Sequence, residues 1–580
     1  MKRKIKISDY VAQFLKQNQI KFVFEMSGGM ITRLLDSINQ KSKINIISFR
    51  HEQSAAFAAD AYGRLTGIPG IALATSGPGA TNLITGIGSS YFDSSPTVFI
   101  TGQVNRSEIK GNKKVRQLGF QETDIVSVVR PITKKALLVT SPEDVPDVLK
   151  DAFVIATEKR PGPVVIDIPM DVQREFINVE KIEKITSKIT HQKPVTSKIS
   201  MDLISSIKDA KRPIILVGGG IHSSNSLEKF REFVRIVKIP VVNSLMAVDA
   251  LPYLDKFRIG LIGSYGNRWA NLALSKADLL IILGSRLDIR QTSSKVDEFR
   301  KNKKIFHVDI DTHELNNRIK GCIEIPMNLE SFFNSINDKL STIEFTEKRE
   351  WLEKIDEMRK YFPDTAENPQ PKGINPNLFM HQLSNASKSA SVFTADVGQH
   401  QMWAAQSLEL TDNQRFITSG GMGSMGFGLP ASIGATLAKD LSPIVLIAGD
   451  GGFQSNIQEL QTLVHHKLPI KIIVLNNNCH GMVRQFQEDY FNGRYQSTLW
   501  GYSAPNFESI ATAYGLPSKT ITKQSEVSKA LKWIWKDAHQ PVLLQVMIGT
   551  FVNALPKIAF GKPNYMMDPK KDDKYVKPKH

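Results

Sequence analysis

Two clusters of polar residues, Gly449-Asp450-Gly451-Gly452 and Asn476-Asn477-Asn478, each follow directly after an apolar stretch. The stretches Ile444–Ala448 and Ile470–Leu475 are short and rich in β-branched residues, which is typical of buried parallel strands. Because parallel strands end at the same edge of a sheet, where open α/β proteins bind ligands, we expect the two clusters to lie close together.

The side chains of these clusters suit a diphosphate that is held by a metal ion. Asp450 offers a carboxylate oxygen, Asn477 an amide oxygen and Cys479 a backbone carbonyl oxygen, which is a ligand set typical of Mg²⁺. Gly451 and Gly452 allow backbone N–H groups to approach phosphate at a helix N-terminus. By itself, Gly-Asp-Gly favours an ordinary strand-turn-helix with a capping aspartate, so the prediction depends on the second cluster.

Between the two strands, apolar residues recur with helical spacing. Ile457, Leu460, Leu463 and Val464 predict one amphipathic helix, which Pro469 ends. The stretch is therefore predicted to be a βαβ unit with both polar clusters at one edge.

The pattern Gly-Asp-Gly, 24 residues, Asn-Asn resembles the signature of thiamine diphosphate (ThDP) enzymes. The surrounding sequence is similar to the catalytic subunit of acetolactate synthase (acetohydroxyacid synthase) over about residues 5–560. The resemblance implies an α/β fold of three doubly wound parallel-sheet domains, with ThDP pyrimidine and diphosphate domains flanking a Rossmann-like FAD-binding domain. It is densest in six blocks: Phe49–Asn82, Phe120–Val126, Arg160–Asp171, Val397–Gln406, Ser419–Ala435 and Gly449–Gln485.

The length of 580 residues also predicts about three domains. The stretches 179–200 and 341–375 are polar and are predicted to be linkers. The domains are therefore expected at residues 1–178, 201–340 and 376–560. The polar tail, residues 561–580, is expected to be mobile.

Composition argues for a protein of the cytoplasm. Two cysteines give no disulfide framework, no apolar run approaches the roughly 18 residues of a membrane span, and no apolar region of a signal peptide follows the basic residues at 2–4. The net charge of +17 is compatible with a nucleic-acid surface or with a solvated surface that meets anionic substrates. The lysines are scattered, which favours the second interpretation and no nucleic-acid partner.

Glu52 is the predicted catalytic carboxylate. A strand at Ile44–Phe49 leads to it, and a helix at Ala55–Arg64 follows, so a charge favoured by the helix dipole is the simple alternative. The sequence HEQSAAFAADAYGRLTG resembles the family segment whose glutamate hydrogen-bonds the ThDP aminopyrimidine, which implies a proton relay. Further buried strands are predicted at Phe22–Phe24, Ile71–Thr75, Val164–Ile168, Ile214–Val217, Leu279–Leu283 and Ile305–Val308.

The resemblance implies further site residues. Phe120 would form a wall of the substrate pocket, Gln121 would face the reacting carbonyl, and Gly28 and Gly29 would lie near the substrate; without the family, Phe120 reads as core and Gln121 as surface. Met425 would support the bent cofactor from beneath, a task that suits methionine. The ThDP contacts implied are Gln399, His400, Gly423, Met425, Gly451, Gly452, Gly481 and Met482.

Strands of the middle region end on glycine or an acidic residue, a pattern that is a weak nucleotide-binding signal by itself. The region is similar to the FAD-binding domain of the family, in which the flavin is retained without net redox chemistry. The FAD contacts implied are Arg160, Gly218, Gly219, Gly220, Gly284, Arg286, Asp288 and Asp309.

The acceptor side departs from the family pattern. The arginine that holds the acceptor carboxylate corresponds to Arg290. However, Phe486 replaces a tryptophan, Ile289 an acidic residue and Met170 a lysine, and Ser27-Gly28-Gly29-Met30 stands for Pro-Gly-Gly-Ala. These differences suit a different acceptor.

The favoured function is acetolactate synthase, which joins two pyruvates into 2-acetolactate and CO₂ with ThDP, Mg²⁺ and FAD. A close alternative is a flavin-containing carboligase of branched-sugar biosynthesis that transfers the acetaldehyde unit to a keto-deoxysugar nucleotide. A pyruvate oxidase or 2-oxo acid decarboxylase is a third alternative, and intact Glu52, Asp450 and Asn477 argue against a non-catalytic binding protein. The family's site lies between subunits, which implies a homodimer or homotetramer and admits a small regulatory subunit.

Overall fold

The computed structural model describes residues 3–182, 184–185, 195–368 and 373–571. Their architecture is built on three six-stranded parallel sheets with helices on both faces. This confirms the predicted fold class. The limits between domains remain predictions, and residue 183 and residues 186–194 of the first linker lie outside the described residues.

The first sheet has the order β3-β2-β4-β5-β7-β6, and β1 pairs antiparallel with β8 beside it. The strands are β1 (Arg3–Lys6), β2 (Phe22–Glu25), β3 (Asn45–Ser48), β4 (Gly70–Ala74), β5 (Thr97–Gln103), β6 (Lys135–Leu138), β7 (Pro163–Pro169) and β8 (Phe176–Val179). The helices are α1 (Ile7–Gln17), α2 (Thr32–Ser42), α3 (Glu52–Thr66), α4 (Pro78–Asn82), α5 (Ile84–Phe92), α6 (Ile125–Val129), α7 (Val145–Thr157) and α8 (Met170–Arg174).

The middle sheet has the order β11-β10-β9-β12-β13-β14, which is the dinucleotide-binding order. Its strands are β9 (Pro213–Val217), β10 (Val241–Asn243), β11 (Arg258–Leu261), β12 (Leu279–Leu283), β13 (Lys304–Asp309) and β14 (Ile323–Pro326). Its helices are α9 (Ser197–Asp209), α10 (Gly220–Ser223), α11 (Leu227–Val237), α12 (Arg268–Lys276), α13 (Ile289–Thr292), α14 (Val296–Arg300), α15 (Leu329–Ser341) and α16 (Arg349–Tyr361).

The third sheet repeats the topology of the first, with the order β16-β15-β17-β18-β20-β19. Its strands are β15 (Val392–Ala395), β16 (Arg415–Thr418), β17 (Ile444–Gly449), β18 (Ile470–Asn476), β19 (Ser518–Ile521) and β20 (Val542–Met547), and a hairpin follows of β21 (Lys557–Ile558) and β22 (Met567–Asp568). Its helices are α17 (Pro376–Ala386), α18 (Gln399–Ser407), α19 (Gly428–Ala438), α20 (Asp450–Ser455), α21 (Leu460–His465), α22 (Gly481–Tyr490), α23 (Phe507–Ala513) and α24 (Val527–Ile534).

The first and third domains pack together through α3 and α19. Phe57 and Phe427 meet edge to face with ring centroids 5.3 Å apart. Gly434 allows the backbones to approach closely, since a Cβ there would lie 2.1 Å from the Ala58 carbonyl oxygen. The helix that begins at Glu52 is therefore anchored on the domain that carries Asp450.

All the predicted strands are present, with ends within one residue of the prediction. The single helix predicted across Ile457–Val464 is wrong. A helix starts at Asp450, breaks at Asn456 and resumes through a 3₁₀ turn as α21. The Asn456 side chain donates to the Gly426 carbonyl and accepts from Ser54, so it competes with helical continuity.

Two further expectations need correction. The stretch 341–375 is not a plain linker, because α16 packs Trp351, Ile355 and Met358 into the core of the middle domain; residues 369–372 lie outside the described residues. Residues 561–571 of the tail pack against the fold rather than extending freely from it: Met567 is buried, and the Pro569 carbonyl accepts from Arg268. Residues 572–580 lie outside the described residues. No described helix has the length and apolarity of a membrane span.

Candidate active site

The predicted diphosphate edge lies where the strand order of the third sheet reverses. β15 and β17 are neighbours, while the chain leaves them toward opposite sides of the sheet. Such switch points form crevices outside the carboxyl ends of the strands. The loops after β15, β17 and β18 meet there.

Asp450 is 3% exposed, and its Oδ2 atom has no hydrogen-bond partner among the described residues. Burial raises the pKa of this carboxyl to about 6, and the Tyr502 hydroxyl and the Cys479 backbone N–H oppose the rise. A buried carboxylate oxygen without a partner is costly, and a bound cation would satisfy it. The donor set therefore fits a metal ion.

Asn477 and Gln399 are joined at this edge. The Asn477 Nδ2 atom donates to the Gln399 Oε1 atom at 3.0 Å, so the amide oxygen is the atom that Asn477 can offer a metal. Asn478 has a φ of 54°, which turns the chain sharply after β18 and brings Cys479 toward Asp450. Burial raises the pKa of the Cys479 thiol to about 11, so its backbone, rather than a thiolate, suits the role predicted.

Glycines make this edge close-packed. A Cβ on Gly481 would lie 2.0 Å from Gln399 Oε1, and one on Gly451 would lie 2.7 Å from the His480 ring. The methyl group of Met425 is 3.4 Å from the same Gly451 position, and 40% of Met425 is exposed. The edge thus presents bare backbone on one side and an apolar thioether on the other. Gly452 lies next to it in α20, and Met482 lies half-buried in α22.

His400 is buried against two glycines of the same edge. Its ring stands 2.7 Å from the Cβ positions of Gly398 and Gly449, and its Nε2 atom has no partner among the described residues. Burial lowers the pKa of His400 to about 3, so the imidazole is neutral and can donate or accept one hydrogen bond.

Asp396 is a site residue that the sequence interpretation missed. Its carboxylate accepts the backbone N–H groups of Val397, Gly426 and Gly428 at 2.6, 3.0 and 3.0 Å. It therefore shapes the loop that carries Gly423 and Met425. The only signal in the sequence is an acidic residue directly after a buried strand.

Glu52 lies at the edge of the first sheet, at the start of α3. It is buried, and its Oε2 atom accepts from Asn82 Nδ2 at 2.9 Å. Gly79 stands against it, since a Cβ there would be 3.3 Å from Glu52 Oε1. The preceding His51 caps the helix by accepting from the Gln53 N–H.

Asn456 joins this edge to the diphosphate edge within one chain. Its side chain contacts Gln53 and Ser54, the two residues after Glu52, at 3.3 and 3.1 Å. It also donates to the carbonyl of Gly426, the residue after Met425, at 2.8 Å. The loops that carry Glu52 and Met425 are thus fixed relative to each other.

The predicted substrate residues occupy different positions. Gln121 has a φ of 65° and lies beside Gly77, where its carbonyl accepts from Ser76. Phe120 is 80% exposed, contrary to a core role. Gly28 is packed, since a Cβ would lie 2.5 Å from Thr75, whereas Gly29 is open.

A cavity of about 1360 Å³ lies at the edge of the middle sheet and reaches both neighbouring domains. Seven of the predicted FAD residues line it: Arg160, Gly219, Gly220, Gly284, Arg286, Asp288 and Asp309. Gly218 lies behind the lining, because a Cβ there would meet the Gly284 carbonyl at 2.3 Å. Arg290 lines the same cavity, whereas Phe486 lies outside it on α22.

His222 also lines this cavity and was not predicted. Its Nε2 atom is 2.7 Å from Asp249 Oδ1, and Asp249 Oδ2 accepts from Arg415 Nε at 2.7 Å. Burial lowers the pKa of His222. Among the described residues, no group of three or more His, Cys, Asp or Glu side chains is placed to hold a metal, and the site predicted here uses a single carboxylate.

Three family profiles match the chain: thiamine pyrophosphate enzyme N-terminal TPP binding domain over residues 5–128, central domain over 201–336 and C-terminal TPP binding domain over 396–546. The acetolactate synthase large subunit of Cyanidium caldarium is 37% identical over 566 residues, which cover 95% of each chain. The chain belongs to the acetolactate synthase large-subunit family of thiamine pyrophosphate enzymes. The predicted family and its ThDP chemistry are confirmed.

Other relatives of this family are equally complete matches. The acetolactate synthase large subunit of Lactococcus lactis subsp. lactis (strain IL1403) is 36% identical and covers 96% of this chain and 94% of its own. A probable acetolactate synthase large subunit of Methanocaldococcus jannaschii is 35% identical with the same coverage. The similarity therefore includes all three domains.

Proposed function

We propose that this protein decarboxylates pyruvate and joins the remaining two-carbon unit to a second pyruvate, which yields 2-acetolactate and CO₂. The observation that carries the proposal is the Asp450 oxygen that has no hydrogen-bond partner among the described residues, at the same glycine-lined edge as the Asn477 amide. Such an edge suits a metal-held diphosphate, and the relatives named acetolactate synthase supply the reaction.

Asp450, Asn477 and the Cys479 carbonyl would hold Mg²⁺, while Gln399 and His400 would contact the diphosphate. When bound, ThDP supplies the carbon nucleophile and the electron sink for loss of CO₂. Glu52 would hold and release a proton at the aminopyrimidine, and Asn82 orients its carboxylate. Met425 would support the ring from its apolar side, and Gln121 would contact the reacting carbonyl.

FAD would occupy the cavity of the middle domain. The cavity offers the dinucleotide-binding strand order, bare glycine backbone at Gly219 and Gly220, and the cations Arg160 and Arg286. Arg290 would hold the carboxylate of the acceptor from the rim of this cavity.

The active unit would be a homodimer or homotetramer in the cytoplasm, with Glu52 of one subunit serving the diphosphate edge of another. A small regulatory subunit is proposed as a further partner because the relatives are named large subunits.

A keto-deoxysugar nucleotide is the second candidate acceptor. The apolar Ile289 beside Arg290, exposed and free of negative charge, favours it.

The test is a product analysis with purified protein, pyruvate, ThDP, Mg²⁺ and FAD. We expect acetolactate and one CO₂ per acetolactate from pyruvate alone. Turnover that requires a 4-keto sugar nucleotide would favour the second candidate. Hydrogen peroxide or free acetaldehyde as the main product would indicate the oxidase or decarboxylase alternative, and no CO₂ from pyruvate would overturn the proposal.

A further inference from the structure

The segment 110–118, the cationic loop, connects β5 and its following turn to Phe120. It carries four cationic side chains in nine residues, Lys110, Lys113, Lys114 and Arg116, and residues 111–118 are all exposed. The salt bridges of the surrounding region use Arg106 and Lys135. Within the described part of the chain, Lys113, Lys114 and Arg116 form no ion pair.

Hydrogen bonds hold this loop in shape. The Glu122 carboxylate accepts the backbone N–H groups of Lys110 at 2.5 Å and Leu118 at 2.7 Å, which closes the loop at its base. Gln117 Nε2 donates to the Glu122 carbonyl at 3.1 Å. Glu108, which packs against Gly119 at the same base, accepts from the Asn105 backbone N–H at 3.0 Å and from Asn105 Nδ2 at 2.7 Å, so both acidic groups already have hydrogen-bond donors. A preformed loop binds a ligand at lower entropic cost.

The base of the cationic loop lies close to the catalytic edge. Phe120 follows it, and the next residue, Gln121, packs against Gly77, whose Cβ position is 2.9 Å from Gln121 Cβ. Two residues further along α4, the Cβ position of Gly79 is 3.3 Å from Glu52 Oε1. A ligand that reaches Glu52 past the exposed Phe120 therefore passes the cationic loop.

The charge of the loop exceeds what pyruvate requires. Pyruvate carries one carboxylate, for which Arg290 is already assigned, whereas a phosphate carries up to two negative charges and binds Lys and Arg strongly. Val115, Leu118 and Phe120 are exposed beside the cations and offer apolar contact to a carbon skeleton. The combination suits a larger acceptor with a phosphate group.

We propose that the cationic loop binds the phosphate group of a phosphorylated carbonyl acceptor, a sugar phosphate or a keto sugar attached to a nucleoside diphosphate. The inference rests on the proposed carboligase function and extends its range of acceptors beyond pyruvate. The C1–C2 bond of pyruvate breaks and CO₂ leaves. C2 forms a bond to the acceptor carbonyl carbon, and the acceptor oxygen takes one proton, so no external oxidant or reductant is needed.

The experiment compares the holoenzyme with a loop variant, Lys113→Gln/Lys114→Gln/Arg116→Gln. The matched control removes three exposed lysines near the third sheet: Lys529→Gln/Lys532→Gln/Lys536→Gln. Each protein receives pyruvate with glyceraldehyde 3-phosphate, with a nucleoside-diphosphate 4-keto-6-deoxyhexose, or alone. Products are identified by mass spectrometry. The acceptor that is recovered joined to the two-carbon unit of pyruvate, the mixed product, shows whether the phosphate belongs to a sugar phosphate or to a nucleoside-diphosphate sugar.

We expect a mixed carboligation product from one phosphorylated acceptor, with a KM at least tenfold higher in the loop variant and unchanged in the control. Added salt should raise that KM more in the wild type than in the loop variant. Acetolactate formation from pyruvate alone should change less than twofold. No mixed product, or an equal KM in the loop variant, would overturn the inference while acetolactate still forms, whereas absence of CO₂ release from pyruvate counts against the proposed function itself.

Discussion

At the scale of single residues, the chemistry depends on one carboxylate at each edge. Glu52 and Asp450 are both buried, but their surroundings differ: Glu52 has Asn82 as a hydrogen-bond partner, while one oxygen of Asp450 has none among the described residues. The first arrangement suits a carboxylate that is oriented for proton transfer. The second suits a cation ligand.

Replacing Glu52 by glutamine should separate chemistry from folding. Glutamine keeps the volume and the contact with Asn82, but it cannot relay a proton, so we expect kcat to fall about 10²–10³-fold. ThDP affinity and the thermal unfolding temperature should stay unchanged. Glu228→Gln, which alters an exposed carboxylate of α11, is the matched control. A Glu52→Gln enzyme with near-normal turnover would refute the relay role.

Gly481 should be intolerant of even one methyl group. In Gly481→Ala the new Cβ would need to sit 2.0 Å from Gln399 Oε1 and 2.7 Å from Asn477 Nδ2, so both side chains must move. We expect the affinity for ThDP with Mg²⁺ to fall at least tenfold in a fluorescence titration. Gly162→Ala is the control, because its nearest atoms belong to the flexible Lys134 side chain. If Gly481→Ala and Gly162→Ala bound ThDP with equal affinity, the close packing of Gly481 would not matter for cofactor binding and the prediction would be wrong.

At the scale of elements, the first sheet contains a buried acid in its centre. Asp167 of β7 is paired with Thr101 of β5, and it accepts from the Thr101 hydroxyl at 2.7 Å and from Gln103 Nε2 at 2.8 Å. Burial raises the pKa of Asp167 to about 7, against the opposing effect of these hydrogen bonds. The folded state therefore binds a proton that the unfolded chain has already lost at neutral pH.

This shift gives a signed prediction for stability. Because the folded-state pKa lies above the unfolded value, the free energy of unfolding should fall as pH rises toward 7, by up to about 1.4 kcal/mol per pH unit, and then level off. Asp167→Asn keeps the shape: its Oδ1 atom can accept from Gln103 Nε2 while its Nδ2 atom donates to the Thr101 hydroxyl oxygen, and the titrating group is removed. Denaturant unfolding at several pH values between 5 and 8 measures the free energy of unfolding of the wild type and of Asp167→Asn. If this free energy changed with pH in the same way in both proteins, the prediction would be wrong.

At the scale of the whole molecule, the middle cavity depends on all three domains. Residues of the first domain such as Arg160 and of the third domain such as Gly420 line it together with the strand ends of the middle sheet. A ligand in this cavity would therefore stabilise the arrangement of domains as well as the middle domain.

Flavin binding tests this arrangement. We expect Arg286→Gln to lower FAD affinity at least tenfold, since it removes a cation from the cavity wall, while ThDP affinity remains unchanged. Arg235→Gln, on the exposed face of α11, is the control. Fluorescence quenching of free FAD on titration with protein provides the measurement. Equal FAD affinity in all three proteins would speak against the cavity as the flavin site.

The sequence by itself determined the strands and the main motif. Short runs rich in β-branched residues, such as Ile444–Ala448 and Ile470–Leu475, predict buried strands without any tertiary information. The reason is that a parallel strand buried on both sides requires an unbroken apolar run. The position of Asp450 and Asn477 at one edge follows from two adjacent parallel strands. Glu52, by contrast, was assigned through the family resemblance.

Only the tertiary structure decided how the polar groups are paired. Asp396 accepts the backbone N–H groups of Gly426 and Gly428, which lie 30 and 32 positions later in the chain. Asn456, where the helix breaks, accepts a hydrogen bond from Ser54, 402 residues earlier. In the tail, the Pro569 carbonyl accepts from Arg268. Which oxygen of Asp450 stays without a partner depends on everything packed around it. Apolar patterning is read from neighbours in the chain, whereas hydrogen-bond partners are chosen among groups that only folding brings together.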